Sequence, residues 1–357
     1  MEIDPIWFDS MGAKTTCTKV VTRDTSILID PGAAAMQPSY PMSDEKKNEC
    51  RDRARKEIQR KGMNVDHVVV SHYHYDHHFL PDFGYLDFEK LFRGVNLWIK
   101  DPNRWINNSQ WERGRKFVKE LCKTFEGETY DQLNVGPRKE KFEDPVPNLS
   151  KAMNKNFGNY QERRNELLNK WSKRFEKWSQ NWSTKDWIRE PKLSVPVEFA
   201  ENKSFKEGDT KVRFSKPLFH GIEYSQTGWI FTTTVTDESG FKFVHTSDLQ
   251  GPTIEDYADR IIEKNPDYLV LDGPATYLYG YMLNKTNLQR SIDNAIKILK
   301  EADVETFIYD HHLLRDENYK ERTKKFWGAA ENSETEVFTA AELKGQTPMI
   351  LEVSKDS

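Results

Sequence analysis

The fold of this chain is decided by the stretch VVVSHYHYDHH, which covers residues 68–78. Three valines are typical of a buried strand, and the residues after them supply four side chains that can bind metal: His72, His74, Asp76 and His77. Alternate side chains of an extended chain point the same way, so His72 and His74 can hold one ion together. Asp76 and His77 then face a second ion. The stretch therefore predicts half of a two-metal site at the end of a strand.

Length and composition predict a soluble enzyme. The chain has 357 residues and a net charge of −4, and it can bury a substantial core. No apolar run is long enough to span a bilayer, and the N-terminus lacks the basic-then-apolar pattern of a signal peptide. The three cysteines form no CxxC pair, which suits a reducing compartment. We expect a cytoplasmic protein with no membrane partner.

Residues 1–90 alternate strand and helix patterns. Residues 25–29 are rich in β-formers and are stopped by Asp30-Pro31-Gly32, and the charged segment from Asp44 to Arg60 has helix-forming composition. The strand at 68–70 follows, which places the metal-binding stretch at the mouth of a sheet. A carboxylate at a strand end often orients site histidines, so Asp30 is a candidate supporting residue.

The segment from about residue 90 to 196 differs in composition from the rest. Residues 90–200 contain seven of the ten tryptophans and 23 Lys or Arg against 15 Asp or Glu, a local balance of +8 that leaves −12 for the remainder. Apolar residues at spacings of three and four predict a helix, and they are Leu168, Trp171, Phe175, Trp178 and Trp182. Such a stripe is more often a buried face than a stacking surface. We interpret the segment as an inserted subdomain.

After residue 196 the alternation of strand and helix patterns returns. Residues 228–235 and 241–244 predict a hairpin with a glycine-containing loop. A buried strand is predicted at 268–271, then a helix with one apolar face around residues 288–299. A last core strand at 305–309 leads into Asp310-His311-His312.

A hydrolytic two-metal site needs about three protein ligands per ion, so three more are required. His220 lies at a strand-to-turn position and could complete the set begun by His72 and His74. Asp248 lies at the end of the predicted hairpin and could bridge the two ions.

The last ligand comes from the pair His311 and His312. Ser71-His72 and Asp310-His311 follow a core strand by the same step, which favours His311. His312 stays the alternative.

The order of these residues resembles the motifs of the metallo-β-lactamase superfold: an early strand-end Asp, HxHxDH, a lone His, a bridging Asp and a final His. In this sequence the positions are occupied by Asp30, His72, His74, Asp76, His77, His220, Asp248 and His311 or His312. Longer stretches, SDLQGP at 247–252, DGPATYL at 272–278 and DHHLLRD at 310–316, resemble an archaeal branch of that superfamily. The resemblance covers about residues 1–90 and 205–325.

The resemblance implies an α/β fold, the αβ/βα four-layer sandwich of that superfamily, interrupted by a mostly helical insertion. The predicted domains are residues 1–90 as the first part of the metallo-β-lactamase-like domain, 91–200 as the Trp- and Lys-rich insertion, and 201–357 as the second part.

The resemblance also implies a metal-dependent hydrolase, in which Asp76 and Asp248 position a hydroxide between two divalent ions. Zinc suits the His and carboxylate set, and manganese or iron could also bind. Asp248 argues against a dedicated β-lactamase, because true β-lactamases of the superfamily lack the bridging aspartate. His74 argues against a flavodiiron protein, which generally has Glu there. The β-CASP nucleases carry their insertion later in the chain than this one does.

Among the remaining reactions, hydrolysis of a phosphodiester, with RNA and DNA as candidate partners, is favoured. Lys and Arg of the insertion can neutralise phosphates, and exposed aromatic side chains can stack on bases. The alternatives are a hydrolase of a lactone, thioester or β-lactam-like carbonyl compound, and a non-catalytic binding protein stabilised by metal. Tyr277 as a donor to an oxyanion, Arg315 as a phosphate contact and Lys14 are further candidates, and no general acid is assigned.

Overall fold

The computed structural model describes residues 1–354. Its strands are β1 (Glu2–Phe8), β2 (Thr16–Val21), β3 (Ser26–Ile29), β4 (His67–Val70), β5 (Asn96–Ile99), β6 (Asn134–Pro137), β7 (Asp186–Ile188), β8 (Val197–Phe199), β9 (Ser204–Glu207), β10 (Thr210–Phe214), β11 (Leu218–Phe219), β12 (Trp229–Ile230), β13 (Thr233–Thr236), β14 (Lys242–His245), β15 (Tyr268–Asp272), β16 (Thr306–Asp310) and β17 (Glu336–Phe338). Its α-helices are α1 (Asp44–Gly62), α2 (Phe88–Phe92), α3 (Asn108–Thr124), α4 (Ser150–Asn154), α5 (Gln161–Thr184), α6 (Glu255–Lys264), α7 (Lys285–Glu301), α8 (Tyr319–Arg322), α9 (Lys324–Ala330), α10 (Ala340–Leu343) and α11 (Met349–Val353).

Two mixed sheets form the centre of the molecule. The first has six strands in the order β1-β2-β3-β4-β5-β8, and the second has seven in the order β17-β16-β15-β14-β13-β10-β9. Strands β3, β4, β5 and β8 are parallel to one another, and so are β14, β15, β16 and β17. Loops at the carboxyl ends of parallel strands meet at one edge of their sheet. This geometry brings the segments after β4, β14 and β16 towards a common site.

The two sheets pack face to face around a shared apolar core. A ring nitrogen of His245 on β14 donates to the carbonyl of Thr16 on β2 at 3.1 Å, and Trp98 on β5 stacks on Phe205 of β9 with ring centroids 4.6 Å apart. Helix α1 packs against β1 and β2, while Phe326 of α9 packs on strand β16. The order helix, sheet, sheet, helix confirms the predicted α/β four-layer sandwich.

Most of the predicted elements are present, with one correction. The predicted strand at 228–235 is divided: β12 turns away to pair with β11, and only β13 forms the hairpin with β14. Because β11 precedes His220 directly, this small two-stranded sheet holds that histidine beside the metal-binding stretch.

The division into residues 1–90, 91–200 and 201–357 stays a prediction. The first sheet takes two strands from the segment predicted as an insertion, β5 and β8, as its last members. Between them lie helices α3, α4 and α5 and the small sheet of β6 and β7.

Helix α5 carries the apolar stripe that the sequence predicts, and this stripe is buried. Trp171, Phe175, Trp178 and Trp182 have relative exposures of 1%, 3%, 8% and 2%. They surround Trp229, which lies 5.4–6.4 Å from each of their rings. The interpretation of the stripe as core is confirmed.

The burial of the tryptophans limits which of them could stack on a base. Of the seven tryptophans in residues 91–200, five are buried, and Trp105 and Trp111 are half-buried. Stacking of bases on exposed aromatic side chains stays a prediction. Throughout residues 1–354, no helix combines the length and the apolar character needed to cross a bilayer.

We predict that Trp182→Ala lowers the free energy of unfolding by about 3–5 kcal/mol, because it opens a cavity in the core and removes the Nε1 hydrogen bond to the carbonyl of Ile106. Urea unfolding followed by circular dichroism measures the change. The control is Lys177→Ala on the exposed face of the same helix, with an expected effect within about 0.5 kcal/mol. Equal effects of the two substitutions would contradict the docking of α5 through its aromatic face.

Candidate metal centre

The stretch after β4 forms a tight loop that presents side chains in two directions. The amide N–H groups of His77 and His78 donate to the carbonyl of His74 at 3.0 and 3.2 Å, which closes a turn. His78 points into the core, where its ring meets Tyr73 and Phe117. His72, His74, Asp76 and His77 are thereby left to face the edge of the sheet.

The structure brings these side chains together with four others named from distant parts of the chain: His220, Asp248 and both candidates for the last ligand, His311 and His312. One group, whose ligand atoms lie within 4.8 Å of one another, comprises His72, His74, His220 and Asp248. A second comprises Asp76, His77 and His311, and a third comprises Asp248, His311 and His312.

Asp248 lies between the first two groups. Its Oδ2 is 2.9 Å from Nε2 of His220 and 3.4 Å from Nε2 of His72. Its Oδ1 is 3.1 Å from Nε2 of His77 and 3.3 Å from Nε2 of His311. One carboxylate oxygen therefore faces each group, which is the placement that a bridging ligand requires.

Several polar atoms of this cluster are buried without a hydrogen-bond partner among residues 1–354. They are Nε2 of His77, both ring nitrogens of His220 and both carboxylate oxygens of Asp248. Leaving such atoms unpaired costs about 1–3 kcal/mol each. Imidazole nitrogens and carboxylate oxygens converging in this way fit divalent cations, because a cation satisfies all of them at once.

The local charges set the protonation of the histidines. Burial lowers the pKa of His72 to about 4, and burial also holds the pKa of His74 well below its ordinary value. Both rings are therefore neutral at pH 7, with a lone pair free to bind a metal.

His77 and His311 respond differently because each lies between two carboxylates. Burial would lower the pKa of His77, but Asp248 and Asp30 outweigh it and raise that pKa well above its usual value. Asp9 and Asp248 likewise overcome burial at His311 and raise its pKa to about 10. The positively charged rings of His77 and His311 in turn hold the pKa of Asp248 well below its ordinary range despite burial.

Three carboxylates, each at the end of a strand or directly after one, accept hydrogen bonds from histidines of the cluster. Nδ1 of His77 donates to Asp30 at 2.9 Å, Nδ1 of His311 donates to Asp9 at 2.8 Å, and Nδ1 of His312 donates to Asp272 at 3.0 Å. Each bond orients its ring so that Nε2 is turned away from the carboxylate.

Sequence reasoning considered Asp30 for this role but missed Asp9 and Asp272. Asp272 is the last residue of β15, the same kind of position that singled out Asp30, so a search of every strand end would have found it. Asp9 follows β1 directly, as Asp30 follows β3, so the same search would have found it. Gln110 on α3 was also missed; its Nε2 lies 3.5 Å from Nε2 of His74 and donates to the carbonyl of Thr227.

The two candidates for the last ligand occupy different places. His311 belongs to the group of Asp76 and His77, whereas His312 shares a group only with Asp248 and His311. His312 also lines the adjoining cavity. This arrangement is consistent with His311 at the second ion and His312 facing substrate.

The supporting candidates Arg315, Tyr277 and Lys14 all line the same cavity. Arg315 is buried, and its guanidinium donates to Asp9 at 2.5 Å and to Asp76 at 3.2 Å. It makes no ion pair with its neighbour Asp316, which pairs with Arg322 at 3.0 Å. Arg315 thus orients Asp76 at the edge of the cavity.

The backbone is strained at three residues in or beside the polar cluster. Asp30, Ser247 and His311 have φ values of 51°, 50° and 62°, in the left-handed region that non-glycine residues rarely adopt. Strain of this kind costs about 1–3 kcal/mol per residue and collects at functional sites. All three lie directly beside or within the polar cluster.

The cavity next to the cluster has a volume of about 970 Å³. Of the cluster, His74, Asp76, His220, Asp248 and His312 are among the residues that line it. The other charged groups on its wall are all cationic: Lys14, Arg113, Arg163, Lys170, Arg174 and Arg315.

Comparison with known proteins gives relatives along the whole chain. Residues 12–79 match the family model of the metallo-beta-lactamase superfamily. The chain is 31% identical to a UPF0282 protein of Korarchaeum cryptofilum, over 99% of this chain and 93% of the relative. It is 30% identical to a UPF0282 protein of Methanocaldococcus jannaschii, over 99% and 94%.

Solved structures with a similar course of the chain are more distant. They include a possible metal-dependent hydrolase from Veillonella parvula, with a TM-score of 0.42 and 12% identity over 92% of this chain and 94% of the other. An isothiocyanate hydrolase from Delia radicum gut bacteria has a TM-score of 0.41 and 10% identity over the same shares. These likenesses are too weak to carry chemistry to this chain.

Gly32 lets the first sheet approach the metal-binding loop. A Cβ at this position would lie 2.4 Å from the amide nitrogen of His78 and 2.5 Å from that of His77, so a side chain would displace the loop. We predict that Gly32→Ala lowers the free energy of unfolding by about 1–3 kcal/mol in urea titrations. The control is Gly328→Ala on α9, where nothing lies within 4 Å and the expected change is neutral or slightly stabilising. A Gly32→Ala protein as stable as the parent would contradict the close packing.

Proposed function

Because the chain belongs to the UPF0282 family and has the fold of the metallo-β-lactamase superfamily, we propose that it is a metal-dependent hydrolase with a dinuclear centre that cleaves a phosphodiester. In this reaction water adds to phosphorus, one P–O ester bond breaks, and a phosphomonoester and an alcohol result. The reaction consumes no oxidant or reductant.

The donor sets support two ions. His72, His74 and His220 would hold one, Asp76, His77 and His311 the other, and Asp248 would contact both. Bound divalent ions lower the pKa of water towards neutrality and stabilise negative charge on a phosphoryl group. Zinc suits this set of nitrogen and oxygen ligands, and manganese or iron can also occupy it.

The residues around the ions have separate tasks. The guanidinium of Arg315 lies 3.2 Å from Asp76 and favours the ionised carboxylate that a metal ion requires. An ionised Asp76 at the cavity wall can accept a hydrogen bond from water and orient it towards a substrate. Arg315 holds Asp76 in place from the other side.

The observation that carries the choice of substrate is the charge of the cavity. Apart from Asp76 and Asp248, which face the ions, the charged groups that line it are six Lys or Arg side chains. Such a wall attracts an anionic ester electrostatically, whereas it adds no electrostatic attraction for a neutral lactone. The cavity beside the cluster also supports catalysis over a purely structural metal, because structural sites have no adjoining space for substrate.

The assignment of His311 is tested by the metal content of two variants. We predict that His311→Ala lowers the content from near two ions per chain to about one, because it removes a ligand of the second ion. His312→Ala should stay near two ions, since its ring lies on the cavity side. Elemental analysis of dialysed protein measures both. The reverse result would make His312 the ligand.

The proposed activity is tested with a bis-aryl phosphodiester in the presence of zinc or manganese. The parent should hydrolyse it, and Asp248→Ala should lose activity by roughly a hundredfold or more, because both ions lose a shared ligand. Asp131→Ala, at an exposed carboxylate, is the control and should retain the parent rate.

Two other outcomes would change the proposed substrate class or contradict the proposed metal centre. Two bound ions without phosphodiester cleavage would favour the lactones, thioesters and related carbonyl compounds. A folded protein that binds no metal would contradict the dinuclear centre itself.

A further inference from the structure

One wall of the cavity is built from a row of side chains on helix α5. Arg163, Leu167, Lys170 and Arg174 follow one another at spacings of four, three and four, so they share one face of the helix. All four line the cavity. We refer to Arg163, Lys170 and Arg174 as the α5 cation row.

The rotation of α5 that presents this row is fixed by the rest of the helix. Its aromatic stripe is buried against Phe219 and Trp229, which flank the segment of His220. Near the start of the helix the buried guanidinium of Arg164 donates to Glu223 at 2.6 Å. The cation row is therefore held towards the cavity by packing on one side and by a buried ion pair on another.

The charges of the row are available to a ligand. Among residues 1–354, no carboxylate lies within 4.0 Å of Lys170 or Arg174. Arg163 pairs with Glu166 at 2.6 Å, but both side chains are more than half exposed, so the pair contributes little. Free cations in a row attract a chain of negative charges better than a single one.

At the rim of the cavity, an ordered turn carries two exposed apolar side chains, Tyr281 and Met282, which we call the lip. Tyr281 and Met282 are 87% and 69% exposed, and both line the cavity. Their amide N–H groups each donate to the carbonyl of Leu278 at 3.0 Å, which holds the turn in shape. An exposed tyrosine held in this way offers a flat face on which a base can stack.

The cation row and the lip are neighbours. The hydroxyl groups of Tyr160, just before α5, and Tyr224 lie 2.5 Å apart. The side-chain amide of Asn287, at the start of α7, donates to Tyr224 at 2.9 Å. The start of α5 is thereby tied to the helix that follows the turn of Tyr281.

Resting on the proposed function, we propose that the substrate is a single-stranded nucleotide phosphodiester. One phosphate lies at the histidine and aspartate cluster, further phosphates lie along the α5 cation row, and a base packs on Tyr281 and Met282. A single strand fits because its bases are free to stack, whereas those of a duplex are occupied by each other. A volume of about 970 Å³ holds a short segment, either a small oligonucleotide or the end of a longer strand.

The proposal is tested by binding, separately from turnover. The probe is a fluorescein-labelled phosphorothioate DNA strand of about 12 nucleotides, within the roughly 4 to 16 nucleotides that single-strand sites cover. Phosphorothioate keeps the backbone charge and resists hydrolysis. Fluorescence anisotropy with the metal-loaded protein gives Kd between about 50 and 200 mM salt.

The test variant is Lys170→Glu combined with Arg174→Glu. We expect its Kd to rise at least roughly tenfold. The slope of log Kd against log salt concentration should fall by about 1.4, at ~0.7 for each lost phosphate contact. The matched control is Lys173→Glu with Lys177→Glu, which makes the same charge change on the same helix at exposed positions that do not line the cavity. Its Kd should change less than about threefold, because salt screens distant charges.

A second variant tests the lip. Tyr281→Ala removes an exposed side chain and should raise Kd by roughly fivefold or more without changing the salt slope, because stacking is lost while phosphate contacts remain. Equal Kd values for both double variants, or equal binding of single strand and duplex, would overturn the proposal. A dinucleotide that competes as well as the full strand identifies a small substrate, and affinity that rises with length identifies a strand end.

Failure of this inference and failure of the proposed function are separable. Hydrolysis of the bis-aryl phosphodiester without row-dependent binding of the strand would leave the hydrolase standing and reject the nucleotide substrate. Row-dependent binding of the strand without hydrolysis of any phosphodiester would reject the hydrolase and leave a nucleotide-binding site.

Discussion

The carboxylate of Asp248 lies in the protein interior, and neither of its oxygens has a hydrogen-bond partner within residues 1–354. Burying it costs free energy, which the surrounding histidines offset. An isolated buried carboxylate would take up a proton, but four imidazole nitrogens approach it within 2.9–3.4 Å. They come from the loop after β4, from the segment after β11 and from the turn after β16. Both halves of the sandwich must therefore be in place before this charge can be buried.

The same logic extends outward from the cluster. His77 and His311 are each held between Asp248 and a second carboxylate, Asp30 or Asp9. These pairs orient the rings and keep positive and negative charges balanced in the absence of solvent. The strained backbone at Asp30 and His311 is the local cost of placing the groups so closely.

Helix α5 lies between the aromatic core and the cavity beside the polar cluster. Neighbouring residues on it have opposite environments, since Trp171 is buried while Lys170 is exposed at the cavity wall. Four of the 23 Lys and Arg residues of the segment 90–200 line the cavity: Arg113, Arg163, Lys170 and Arg174. The tryptophans serve this arrangement by fixing the helix, and the lip of Tyr281 supplies the exposed aromatic face.

Sequence alone determined the features that depend on residues close together in the chain. Three valines followed by HxHxDH specify a strand and a ligand-bearing loop, because strand geometry and the turn after it fix where neighbouring side chains point. The three-and-four spacing of the aromatic residues on α5 specified a buried face in the same way. Tertiary structure decided what depends on segments that are separate in the chain. Strand β11, which precedes His220, pairs with β12, and Asp9 and Asp272 accept hydrogen bonds from His311 and His312. Lys170 and Arg174 line a cavity. Such contacts join separate elements of the chain, 302 positions apart for Asp9 and His311 and 40 for Asp272 and His312. Their distances are set by the packing of two sheets and a helix, which no local pattern encodes.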